Sequence, residues 1–191
     1  MDSRGIDDRG PTPIVFISGT LVNLVVLDED LARFSDWAAW FDDEETTRWT
    51  QHHRFPQSRD AQVDFVKDLA KDASRLQLGI WSTELDVLVG VISLSSISCV
   101  NRTAEFAVVI GDSRARNLHV WLEASRLILL HGRQSLNVRR VYGGSFSKEI
   151  ADLHVRLLGF SMEGLRPQHV FKAGAYHDVY EFGLFLDDLR G

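Results

Sequence analysis

The stretch NRTAEFAVVIGDSRARNLHVWLEASRL, residues 101–127, decides how the chain folds. Thr103 to Ile110 reads as a strand: it is almost entirely apolar, with Glu105 the one acid inside it. Gly111-Asp112-Ser113 breaks the run. From about Val120 to Gln134 a helix is expected, with Leu122, Leu127, Leu129 and Leu130 largely inward. A strand that empties through a loop into a helix presents unpaired N–H groups and the positive end of the helix dipole, which suits an anion. Arg114 and Arg116 already stand in that loop.

Downstream, Val138 to Tyr142 reads as a strand and Ser147 to Leu158 as a helix stopped by Gly159. Phe160 to Arg166 and Val179 to Phe185 close the chain as a strand pair, with Gly174 in the turn. Upstream, Leu21 to Leu27 is a strand, and Asp28-Glu29-Asp30 opens a helix that places Leu31, Phe34, Trp37 and Phe41 on one face. Ser58 caps a second helix running to about Lys71. Leu76 to Trp81 and Leu88 to Ser95 are two further strands. Counted from Leu21, Thr103 to Ile110 is the fourth strand and Val138 to Tyr142 the fifth. Residues 1–18, interrupted by Pro11 and Pro13, are expected as a flexible tail, and residues 19–191 as one α+β domain with a mixed sheet.

Composition narrows the function. A chain of 191 residues that is 45% hydrophobic and 25% charged excludes disordered and collagen-like classes. No apolar run approaches the roughly 20 residues that span a bilayer, so no membrane partner is expected. The start of the chain lacks the basic-then-apolar order of a secretory signal, and Cys99 has no partner, so a cytoplasmic location is expected. Cys99 itself reads as a small buried residue. The histidines fall into no ligand spacing, so no metal site is expected. Net charge is -6, yet Arg114, Arg116, Arg126, Arg133, Arg139, Arg140 and Lys148 face only Glu123 between Ser113 and Lys148. A basic third inside an acidic chain suggests a phosphate-bearing ligand on one face.

Several stretches carry a family likeness. Arg102-Thr103-Ala104-Glu105-Phe106, Ile110-Gly111-Asp112 and Glu123-Ala124 resemble the GNAT superfamily of N-acyltransferases, more closely its ribosomal-protein and nucleotide-sugar acetyltransferase-like branch. Gly19 to Leu24 with Leu27 to Leu31, Asn137 to Tyr142, Leu158-Gly159-Phe160, Glu163-Gly164 and Gly174 to Val179 are similar to further segments of that branch, in unbroken order over about residues 19–188. The resemblance implies a mostly antiparallel twisted sheet flanked by helices and splayed between the fourth and fifth strands. It implies acetyl-CoA, or another acyl-CoA, as co-substrate. The backbone of Val108, Val109 and Ile110 would pair with the pantetheine arm. The pyrophosphate pattern falls on Arg116, Asn117, Leu118, His119, Val120 and Trp121, and Arg114 lies beside it. Trp37, Trp40 and Phe41 would line the acceptor pocket.

The residues depart from the family where glycine is expected, because His119 and Trp121 fill both signature positions. Glycine lets backbone N–H groups approach a phosphate. Either Trp121 turns into the core, or the usual donor binds poorly. Glu105 is the expected general base for deprotonating the acceptor amine. The family's tyrosine acid is replaced by Val155, with His154 turned about 100° away on an ideal helix and Tyr176, Tyr142 and Ser147 as possible substitutes. Three readings remain open at this level. The first is acyl transfer from acyl-CoA to a primary amine of a small molecule or peptide. The second is transfer from another donor, aminoacyl-tRNA or an acyl-carrier protein. The third is a fold without catalysis that serves as a binding module. A homodimer is compatible with each.

Overall fold

The computed structural model describes residues 12–189. Eight strands form one sheet in the order β1-β2-β3-β4-β5-β6-β8-β7. They are β1 (Val15–Ile17), β2 (Val22–Val26), β3 (Leu76–Ser82), β4 (Val87–Ser98), β5 (Thr103–Ile110), β6 (Arg140–Ser145), β7 (Ser161–Lys172) and β8 (Ala175–Phe185). Every neighbouring pair is antiparallel except β5 and β6, which run parallel. The expected mixed α+β sheet is therefore present, and the fourth and fifth strands of the sequence reading are β5 and β6.

The shift in numbering comes from Val15–Ile17. These residues lie in the expected tail but pair with Val25 and Leu24 as an edge strand. The remainder of that tail, up to residue 11, lies outside the described residues.

One long helix was expected after β2; three short ones replace it. They are α1 (Glu29–Phe34), α2 (Trp37–Asp42) and α3 (Glu44–Thr47). Asp28 caps α1 through the N–H of Leu31 at 2.8 Å. Ser35 ends the helix by bonding back to the Leu31 carbonyl, which turns the chain and leaves Phe34 68% exposed while Leu31, Trp37 and Phe41 stay buried. Next, α4 (Arg59–Leu69) starts on Ser58, whose Oγ accepts from Ala61 N–H. Then α5 (Leu118–Gln134) follows β5, and α6 (Lys148–Leu153) follows β6. Gly159, left-handed at φ 84°, ends the last helical segment as expected.

Two cores sandwich the sheet. Leu24, Ile80, Leu94, Phe106, Ile128 and Leu129 pack on the α5–α6 side. Val25, Leu31, Trp37, Phe41, Val63 and Val91 pack on the α1–α4 side. Strand alternation in β5 sends Ala104 and Phe106 to the first side and Glu105 and Ala107 to the second. Cys99, expected inside, is exposed in the turn after β4. Among the described residues no helix is long and apolar enough to cross a membrane.

Candidate active site

The parallel ladder between β5 and β6 is short. Thr103, Ala104 and Glu105 pair with Arg140, Val141 and Tyr142, and from Phe106 to Ile110 the β6-facing edge of β5 has no strand partner. That is the splay the resemblance implies. Its unpaired N–H and C=O groups form a template on which an extended ligand can add like a strand.

On the α1–α4 side this edge meets a cavity of about 320 Å³. Trp37 and Phe41 wall it together with His52 and Phe65, and Ser93, Ser95 and Ala107 to Val109 form its floor. Trp37 stands edge-on to Phe65 at 6.0 Å, and its buried indole Nε1 has no hydrogen-bond partner. The His52 ring lies 4.4 Å from Phe41. Burial, followed by the nearby charge of Lys172, pushes His52 below the usual imidazole range, so it stays neutral near pH 7.

Glu105 lies on the same sheet face as Ala107, opposite Ser95 in register. It is exposed rather than enclosed, and its carboxylate makes no hydrogen bond or ion pair among the described residues. Two residues span about 7 Å of strand, so Glu105 stands at the cavity rim. Trp40 sits elsewhere. It packs flat on Gly111, where a Cβ would fall 2.0 Å from the indole, so it shapes the end of β5 without lining the cavity.

The loop after β5 is wired differently from the expectation. The Asn117 side chain caps α5, accepting from the N–H groups of His119 (3.1 Å) and Val120 (3.0 Å). It thereby fills amides that a diphosphate would otherwise use. Arg116 donates to the carbonyls of Ile110 (3.2 Å) and Gly111 (3.0 Å) and pairs with Glu45 at 3.5 Å. It ties the loop to α3 instead of standing free. Arg114 clamps Asp112, with the closest contact at 2.6 Å, and that bond holds the Asp112 carboxyl below its usual range. Arg140 pairs with Glu163, and Lys148 with Asp152 at 2.7 Å. Much of the basic segment is thus neutralised locally. Leu118 and His119 are exposed at the helix start.

Trp121 takes the inward alternative. Half-buried on the α5–α6 core, it meets His154 edge to face at 5.0 Å. His154 opens a π turn that runs to Leu158. Its Nδ1 lies 2.7 Å from the Ile150 carbonyl, and its ring stacks on Phe182 at 4.4 Å. Burial lowers its pKa.

Two expected residues are placed apart from the cleft or are already engaged. Tyr176 is 66% exposed near the β7–β8 turn, against Phe171. Ser147 is buried as the cap of α6, accepting from Ile150 N–H and donating to Glu149 at 2.8 Å. Conversely, Arg75 and Lys172 escape the sequence reading, and neither the cavity position of His52 nor the backbone contacts of Glu123 follow from it. Only their tertiary contacts single them out.

The matching family model is Acetyltransferase (GNAT) domain, over residues 22–155. No curated protein sequence matches the chain. Among solved structures, spermidine N-acetyltransferase from Vibrio cholerae in complex with CoA and spermine superposes with TM-score 0.78 at 18% identity, covering 88% of this chain and 97% of that one. The microcin C7 self-immunity acetyltransferase, solved with acetyl-CoA and AMP, gives 0.73 at 14% identity, covering 87% and 93%. With most of the sheet, the splay and both flanking helix layers inside the matched span, the chain belongs to the GNAT acetyltransferase family.

Proposed function

We propose that the protein transfers an acetyl group from acetyl-CoA to a primary amine seated in the Trp37–Phe41–His52 cavity. The observation that carries this reading is the meeting of that cavity with the free edge of β5 at Ala107 to Val109. When bound, acetyl-CoA supplies an activated acyl group as its thioester. The unpaired edge of Phe106 to Val109 suits the amide-bearing pantetheine arm, and its N–H groups orient the acyl carbonyl. Glu105, at the rim, accepts the proton that the ammonium must lose before attack. Trp37 and Phe41 exclude water from the amine. The loop fits the donor less well, because Asn117 occupies the amides of His119 and Val120. Donor affinity therefore rests mainly on the strand edge.

Calorimetric titration with acetyl-CoA, followed by a thiol-release assay with a panel of amines, tests the reading. Saturable binding and amine-dependent release of CoA are expected. No binding at millimolar acetyl-CoA would remove the donor.

A further inference from the structure

The cavity lining contains no carboxylate. Among the described residues its one charged side chain is Arg75, just ahead of β3. The register of β3 on β4 pairs Leu76 with Leu94 and Gln77 with Ser93. Carried one residue further it sets Arg75 beside Ser95, which in turn pairs with Glu105. Arg75, just ahead of β3, thus falls in line with Ser95 and Glu105 on the same face of the sheet. At about 4.8 Å per strand, the backbones of Arg75 and Glu105 stand roughly 10 Å apart, and no ion pair joins their side chains among the described residues. The Arg75 guanidinium rests 5.9 Å from the centre of the Phe65 ring.

Above this row stand aromatic rings and neutral polar side chains, Gln57 and Gln62 among them. Trp37 Nε1 is buried and unpartnered. Gln62 is 5% exposed and lines the cavity. A polycation would enter a cavity whose one lining charge is a guanidinium, with a carboxylate only at the rim. A molecule that carries an ammonium and a carboxylate on one carbon, with an apolar side chain beside them, would meet Glu105, Arg75 and the rings together.

Building on the acetyl-transfer reading, we infer that the acceptor is an amino acid with an apolar or aromatic side chain, its carboxylate held by Arg75 and its amine directed to β5 beside Glu105. The recognition element is the Arg75–Ser95–Glu105 row under the Trp37–Phe41–Phe65 wall.

Thiol release with acetyl-CoA would be measured for phenylalanine, leucine and methionine, for their carboxamides, and for spermidine. The free acids are expected to exceed their amides in kcat/KM by on the order of tenfold or more, as a charge-assisted hydrogen bond supplies. Arg75→Gln should erase that preference by lowering the acids and sparing the amides, and Arg75→Lys should restore part of it. Spermidine or the amides matching the acids, or Arg75→Gln lowering acid and amide equally, overturns the inference. If no amine releases thiol, the acetyl-transfer reading fails separately. Calorimetry with phenylalanine and its amide then decides the pocket's chemistry. Acid-selective binding lost in Arg75→Gln sustains the site, and equal or absent binding sinks it.

Discussion

Trp121 meets His154 edge to face, ring centroids 5.0 Å apart and planes at 89°. An indole at the start of a helix that should cradle a diphosphate has become a packing element between α5 and the segment after α6. Trp121→Ala should therefore act first on stability. Removing a half-buried indole costs about 3 kcal/mol, which urea unfolding would read as a lower midpoint at unchanged slope.

His154 also sets a pH dependence. Burial lowers its pKa from the ordinary 6.5, and desolvation moves the half-buried His131 the same way. A base whose folded pKa is depressed binds protons preferentially in the unfolded chain, so stability is complete above 6.5 and falls as pH drops toward the folded values. Thermal unfolding between pH 8 and pH 5 should show this decline, and His154→Phe should make it shallower. A steeper decline in the variant would contradict the assignment.

The carboxylate of Glu123 accepts three consecutive backbone N–H groups, from Thr20 (2.7 Å), Leu21 (2.6 Å) and Val22 (3.0 Å). It fastens the β1–β2 turn to α5. Glu123→Ala leaves three donors without this acceptor and is expected to cost about 1–3 kcal/mol, measurable by denaturant unfolding. Glu123→Gln should recover part of that, since its amide keeps one acceptor oxygen.

Glu105→Gln tests the chemistry itself. If the carboxylate takes the amine's proton, kcat should fall about 10²- to 10⁴-fold, while binding of acetyl-CoA measured by calorimetry stays unchanged. Full activity in the variant would move the proton acceptor elsewhere, with neutral His52 the next group in the cavity.

The parts of the fold that read directly from sequence are those fixed by local rules. Thr103–Ile110 is legible to the residue because an apolar run ends on Gly111, and the caps at Ser58 and Ser147 follow from hydroxyls at helix starts. The break at Ser35 is not legible. Leu31, Trp37 and Phe41 keep helical spacing straight through it, and only the hydroxyl bond to Leu31 reveals the turn. The site divides in the same way. Glu105 and the β5 edge follow from their place in a strand. Arg116 looks free in the loop, but Glu45, distant in sequence, claims it. Arg75 becomes meaningful only once register sets it in line with Glu105. The π turn at His154 belongs to a packing compromise that no periodicity announces.

Lys172, near the end of β7, seats its ammonium on the carbonyl oxygens of Thr47 (2.5 Å), Thr50 (2.8 Å) and His52 (3.1 Å). A hairpin from the end of the chain is thereby riveted to the turn that carries a wall of the cavity. The two cannot shift separately without stripping a cation of its oxygens. The backbone that carries the His52 ring is therefore anchored to a strand 120 residues away in sequence.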